Sequence, residues 1–178
     1  QLLPVLRLIP FDSLENLLTE GEIHLMFSFS GAVSKRVQYR ELRRCPVCCV
    51  CAPGHPLAGE GPVTMEELHQ GGRIAVCRPP ICPEGLFAVQ GRAVGGRSTK
   101  EILFCDNQEV LFTLVEAGYA FGVTADVPGS QTTGLCRRPI ADVEPLSFGA
   151  LSLPGQKHPG VRRLVKLLEE TMGKSDTQ

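Results

Sequence analysis

The most reactive side chains in this sequence are its eight cysteines. Four of them, Cys45, Cys48, Cys49 and Cys51, crowd into one stretch, and Cys45-x-x-Cys48 has the spacing of a metal-ligand pair. A structural zinc site also needs a second pair from elsewhere. Cys48, Cys49 and Cys51 lie in the apolar run from Val47 to Ala52, which reads as a strand, and successive strand side chains point to opposite faces. That geometry opposes convergence on a metal, and no metal site is expected. Cys82 suggests different chemistry. It follows a predicted strand, Arg73 to Cys77, in a loop that begins with Arg78. A neighbouring guanidinium favours the thiolate, which makes Cys82 a candidate redox residue, although no cysteine follows shortly after it to act as a resolving thiol. A cysteine nucleophile would need a base within reach. His24, His55, His69 and His158 show no arrangement that supplies one. No catalytic residue, enzymatic activity or cofactor is expected.

Composition narrows the classes further. The chain has 178 residues, enough for one domain or two small lobes with a real core. Lys and Arg total 18 against 19 Asp and Glu, for a net charge of −1. A surface that tracks phosphates carries a basic excess, so these residues are not expected to bind DNA by themselves. No apolar run reaches the ~18–20 residues of a membrane span. No secretory leader pattern is visible, so the cysteines read as reduced cytosolic thiols, mostly small buried hydrophobes.

The elements that must position these residues follow from periodicity. Val5–Ile9 reads as a strand ended by Pro10. Asp12 or Ser13 caps a short helix with Leu14, Leu17 and Leu18 on one face, stopped by Gly21. Ile23–Phe27 reads as the next strand. After the run from Val47 comes Pro53-Gly54-His55-Pro56, a loop that His55 is expected to order. Thr64 with Glu67 is a capping box opening a helix through Leu68. Residues 79–96 are rich in Gly and Pro and predict a loop with one helical turn near Leu86–Val89. Ile102–Phe104 reads as a buried strand. Asp106 with Glu109 reads as a second capping box, before a helix through Val110, Leu111, Leu114 and Val115 to Gly118. Phe121–Thr124 and Leu146–Leu151 read as strands, residues 128–134 as loop. Pro159 opens a closing helix with Val161, Leu164, Val165 and Leu168 on one face. Alternation of strand and helix predicts an α/β fold with parallel pairing.

Four stretches, in order, resemble the effector-binding domain of LysR-type transcriptional regulators. They are Leu18-Thr19-Glu20-Gly21-Glu22-Ile23-His24-Leu25; Val50-Cys51-Ala52-Pro53-Gly54-His55-Pro56-Leu57-Ala58; Val63-Thr64-Met65-Glu66-Glu67-Leu68; and Leu114-Val115-Glu116-Ala117-Gly118-Tyr119-Ala120-Phe121-Gly122-Val123. The closing helix fits as well. His24 stands where the family usually has Asp, and Ala120 where it has Gly.

The resemblance implies two Rossmann-like lobes of periplasmic-binding-protein type (type 2), joined by two hinge crossings. Lobe one would be residues 1–48 and 127–178, and lobe two 49–126. It also implies a domain cut off from its helix-turn-helix head and lacking a first strand and helix, with DNA contacted only through that head. The full regulator would be a cytoplasmic homodimer or tetramer. A small organic effector would sit in the inter-lobe cleft, and its binding would alter regulator conformation and transcription. By position, the ligand-binding candidates are Ser28, Phe29 and Ser30, then Arg78 and Pro79, Asn107 and Thr124. Their hydroxyls, helix start and guanidinium suit an anion, so a carboxylate is expected. Two alternatives remain. Cys82 sits near where peroxide-sensing members of the family carry a reactive cysteine, and a transporter's solute-binding protein shares the architecture.

Overall fold

The computed structural model describes residues 3–6, 14–32, 36–79, 82–129 and 134–172. They form two compact units, one of residues 1–44 and 147–178, the other of residues 45–146.

In the first unit, α1 (Leu14–Thr19), β1 (Met26–Phe29), β2 (Gln38–Cys45), β8 (Leu146–Ser152) and α5 (Pro159–Met172) surround a three-stranded sheet, β1-β8-β2. β1 and β8 are antiparallel, from Met26 opposite Leu151 to Phe29 opposite Phe148. Alternation along β8 sends side chains to two faces. Leu151 joins Leu18 of α1 and Met26. Ala150 joins Leu42 and Val165, with Val161, Leu168 and Met172 of α5 packed around them.

The second unit holds a five-stranded sheet, β5-β4-β6-β3-β7, made of β3 (Val47–Cys51), β4 (Ile74–Cys77), β5 (Ile102–Cys105), β6 (Phe121–Ala125) and β7 (Cys136–Pro139). β4 runs parallel to β5 and β6, whereas β3 is antiparallel to both β6 and β7. Three helices cover it: α2 (Met65–Gln70), α3 (Glu84–Val94) and α4 (Gln108–Glu116). The capping box expected at Thr64 is present. Thr64 Oγ1 accepts from Glu67 N at 3.1 Å, and Glu67 Oε2 accepts from Thr64 N at 2.8 Å. His55 orders its loop as expected, its Nδ1 accepting from Leu57 N at 3.1 Å.

Several sequence expectations need correction. The strand expected at Ile23–Phe27 forms at Met26–Phe29, because Glu22 N and Ile23 N are tied back to Leu17 O at 3.0 and 3.2 Å as α1 ends. His24 is therefore an exposed residue beside His158, with ring centroids 5.0 Å apart, rather than part of a strand. The Gly- and Pro-rich stretch forms the eleven-residue helix α3. Its Leu86, Val89, Gln90 and Ala93 are buried at helical spacing, and that stripe outweighs about 1 kcal/mol of helix propensity lost at each glycine. Gly85 also has a packing reason: a Cβ there would lie 2.8 Å from the Leu146 side chain. The start of α4 is capped by Asn107, not Asp106. β5 is only partly buried, with Phe104 55% exposed. β2 and β7 have no counterpart among the strands expected from sequence. Residues 127–146, assigned to lobe one from sequence, pack with the second unit, because β7 pairs with β3 and Ile140 bridges Val63. Of the strand expected at Val5–Ile9, residues 5 and 6 are not strand and 7–9 lie outside the described residues, as do Asp12 and Ser13.

Gly149, in the central strand of the first sheet, is a sharp test of this packing. A Cβ there would meet the Arg40 carbonyl oxygen, which is backbone and cannot give way, and would lie 2.7 Å from Tyr39 Cζ. Gly149→Ala is expected to destabilise the first unit by at least ~1–3 kcal/mol, the usual range for overpacking, as read by the urea midpoint. Gly54→Ala, with nothing within 4 Å of its Cβ position, is expected to be nearly silent.

Candidate functional site

Three parallel strands end together in the second unit. Register sets Cys77 of β4 opposite Cys105 of β5, and β6 runs alongside in the same direction, with Ala75 opposite Gly122. Arg78 and Pro79 follow β4 and are exposed. Asn107 follows β5 by two residues and caps α4, its Oδ1 accepting from Val110 N at 2.8 Å. Thr124 lies near the end of β6 and is buried. In open parallel sheets the carboxyl ends of strands and the amino ends of the following helices converge, and the first-turn N–H groups of α4 add partial positive charge.

Hydrogen bonds link these pieces. Gln108 Nε2 donates to Thr124 Oγ1 at 3.0 Å, so the first turn of α4 is tied to β6. The Cys77 thiol donates to the Asn107 carbonyl at 3.6 Å, tying β4 to the same turn. Gln90, buried in α3, donates from Nε2 to Val123 O at 2.9 Å. Sequence reading missed Gln108 and Gln90. The signal for Gln90 was its place on the apolar stripe of Leu86, Val89 and Ala93, where a polar residue must find a buried partner.

Arg78 lies with its guanidinium carbon 3.8 Å from the centre of the Phe104 ring. Among the described residues no carboxylate pairs with it. Three other guanidiniums of this unit are committed. Arg97 donates to the carbonyls of Ala93, Leu68 and Gly72. Arg138 donates to Leu57 O, Gly61 O and Pro62 O at 3.1, 3.1 and 2.8 Å. Arg137 pairs with Asp126 at 3.5 Å.

In the first unit, Ser28 and Phe29 lie on β1 itself rather than past its end, and Ser30 opens a single 3-10 turn through Ala32. Ser28 is 4% exposed, and its hydroxyl has no hydrogen-bond partner among the described residues. Phe29 packs edge-on against Phe148 with centroids 5.3 Å apart, and Ser30 is exposed.

Cys82 differs from its expectation. It is 4% exposed, its thiol contacts Gln90 Oε1 at 3.5 Å, and burial followed by the nearby Cys77 pushes its pKa up to about 12. Arg78 does not activate it. The same direction holds for Cys48, pushed to about 12 by burial and then by Asp126, and for Cys77, pushed to about 11 by burial and then by Cys105.

The LysR substrate binding domain model matches residues 5–173, and the chain belongs to that family. No curated protein matches it in sequence. Among solved structures it is similar to HinK, a LysR family transcriptional regulator from Pseudomonas aeruginosa, at 20% identity and a TM-score of 0.72 over 92% of this chain and 57% of that one. It is also similar to the LysR family regulator CbnR, at 13% identity and a TM-score of 0.68 over 92% and 57%. A cysteine mutant of Corynebacterium glutamicum OxyR shares 14% identity and a TM-score of 0.66 over 92% and 52%. The chain thus spans little more than half the length of these regulators. Full-length CbnR has also been determined with its target DNA. These likenesses establish the periplasmic-binding-protein-like α/β fold.

The buried thiols carry a pH prediction. Below their ordinary value of 9.0, Cys48, Cys77 and Cys82 are neutral both folded and unfolded. Above it the unfolded chain releases their protons while the folded chain retains them, so stability falls as pH rises from about 9 toward 12. Urea midpoints measured from pH 7 to 10.5 are expected to be flat and then to drop, and Cys82→Ala should lessen the drop. In the same unit Asn107→Ala should cost about 1 kcal/mol through loss of the cap, with Asn107→Asp retaining most of it.

Proposed function

We propose that this chain is the effector-sensing part of a DNA-binding transcription regulator and that it binds a small organic carboxylate at the strand ends of its second unit. Arg78 is the residue that carries the reading. Its guanidinium is positioned by Phe104 at the end of β4, and no carboxylate among the described residues occupies it. A carboxylate ligand would accept a two-pronged hydrogen bond from it. Thr124 and the amino end of α4 with Asn107 supply further polar groups, and Pro79 shapes the turn after Arg78. In the first unit Ser28, Phe29 and Ser30 are separate candidates for ligand contact, the Ser28 hydroxyl having no partner among the described residues.

The role is binding rather than catalysis. Cys82, the one thiol the sequence nominated for redox or nucleophilic chemistry, is buried and held as the thiol, which removes its activation. Family membership supports a regulator over a transport protein. In this reading the whole regulator works in the cytoplasm as a homo-oligomer and meets DNA through a helix-turn-helix head. The effector acts by binding one conformation more tightly than another, so that occupancy shifts the population between them.

Calorimetric titration of the full regulator with a panel of small organic acids tests this. At least one acid is expected to bind, its amide analogue to bind much more weakly, and Arg78→Ala to weaken the acid by about tenfold or more, the equivalent of one charged hydrogen bond. Equal binding of acid and amide, or an unchanged affinity in Arg78→Ala, would falsify the assignment.

A further inference from the structure

We propose that Cys51 and Cys136 form a reversible dithiol–disulfide pair, oxidised by a low-molecular-weight disulfide. The pair lies in the second unit, on the β3–β7 edge of its sheet. The inference is independent of the effector reading and uses neither Arg78 nor Cys82.

Three observations carry it. First, Cys51 and Cys136 are direct partners in the antiparallel register of β3 and β7. Opposed residues of an antiparallel pair have Cα atoms ~4.5–5.5 Å apart with side chains on one face, inside the range that a disulfide spans. Second, Cys136 is the one cysteine of the eight that is not fully buried, so an oxidant in solution can reach it. Third, Cys51 is prepared to attack. The Cys49 side chain, two residues away on the same strand face, and the Arg138 charge both act on the Cys51 sulfur. Both favour the Cys51 thiolate, against burial, and hold its pKa below the ordinary value.

The other cysteines lack this combination. Cys77 and Cys105 are also register partners, on β4 and β5, but both are buried and burial pushes both thiols up. Cys48 faces Thr124 and Pro139, and Cys49 faces Val123 and Arg138, so neither has a thiol across the ladder. Cys49 and Cys51 share a face but are separated along one strand by ~6.6 Å of rise, near the limit for a bridge.

The chemistry balances in two exchanges. The Cys136 thiolate attacks one sulfur of the small disulfide. That S–S bond breaks, a mixed disulfide forms on Cys136, and one small thiol leaves. The Cys51 thiolate then attacks the Cys136 sulfur and expels the second small thiol. Two electrons pass from the protein thiols to the small disulfide, and the two protons end on the released thiols. A small dithiol reverses the sequence. Because β7 is the last strand of the sheet, the bond fastens an edge strand covalently to its neighbour.

Peptide mapping of the full chain after equilibration with oxidised glutathione, without denaturant, tests this. The expected result is loss of two of the eight titratable thiols, a Cys51–Cys136 linked peptide, and return of both thiols with dithiothreitol. Cys51→Ser should stop the reaction at a glutathione adduct on Cys136. Cys136→Ser, at the half-buried position, should leave Cys51 unmodified, and it keeps the test available if Cys51→Ser does not fold. A Cys77–Cys105 link in place of the expected one, a Cys136 adduct that persists in the unaltered chain with Cys51 free, or no reaction at all overturns the proposal.

Discussion

All five residues of β3 are buried, and both edges of the strand are paired, with β6 on one side and β7 on the other. A strand in that position can expose neither backbone nor side chains, so its neighbours must satisfy every polar group and cover both faces. Small valine and cysteine side chains allow the cover to come close. Its register then places everything else. Cys48 opposite Thr124 sets where β6 ends relative to β3. Val50 and Cys49 opposite Arg137 and Arg138 send those two guanidiniums to opposite faces. On one side Arg138 clamps the loop before α2 through three carbonyls and Glu67. On the other, Arg137 pairs with Asp126 and lies 5.7 Å from the Phe112 ring of α4. The strand ends that make up the candidate site inherit their positions from this core.

Four arginines of the second unit differ in what satisfies them. Arg97, Arg137 and Arg138 are tied to carbonyls or to a carboxylate and act as structural cross-links between helices, loops and strands. Arg78 makes a cation–π contact at 3.8 Å, worth about 0.5–1 kcal/mol at an exposed site, which orients the side chain without using its hydrogen-bond donors. Orientation with free donors is what recognition of an anion requires. Arg73 also lies over an aromatic ring, 5.4 Å from the centre of Tyr119, but it precedes β4, so its place after the carboxyl end of that strand is what distinguishes Arg78.

The cysteines divide in a similar way. Most behave as small hydrophobes, and burial holds them as thiols well past neutral pH. Cys51 is the exception because the Cys49 side chain on the same strand face and the Arg138 charge favour its thiolate against burial. Reactivity here follows from neighbours a strand period apart and across a ladder, not from closeness to a charged residue in the sequence.

Much was legible in the residues themselves. The four ordered motifs, the Thr64 capping box, the apolar run of β3 and the amphipathic pattern of α5 are local or periodic signals, and a single chain carries them in full. They sufficed for the α/β class and the family. The sequence also nominated Arg78, Asn107 and Thr124, which do lie at the ends of parallel strands or at the start of α4. What it could not supply depends on pairings between distant residues. Phe104 beneath Arg78, Gln108 on Thr124, β7 against β3 and Cys51 opposite Cys136 join segments far apart in the chain, and no local period encodes them. The same limit misled the reading of Cys82 and of α3. Arg78 is close to Cys82 along the chain, but the fold turns one outward and the other into the core. Glycines that suggest a loop become helix once a stripe of Leu86, Val89 and Ala93 has a sheet to pack on. Local pattern thus determined which elements form and which family they belong to, while burial and strand register, which exist only in the folded chain, decided which charges stay free and which thiols can react.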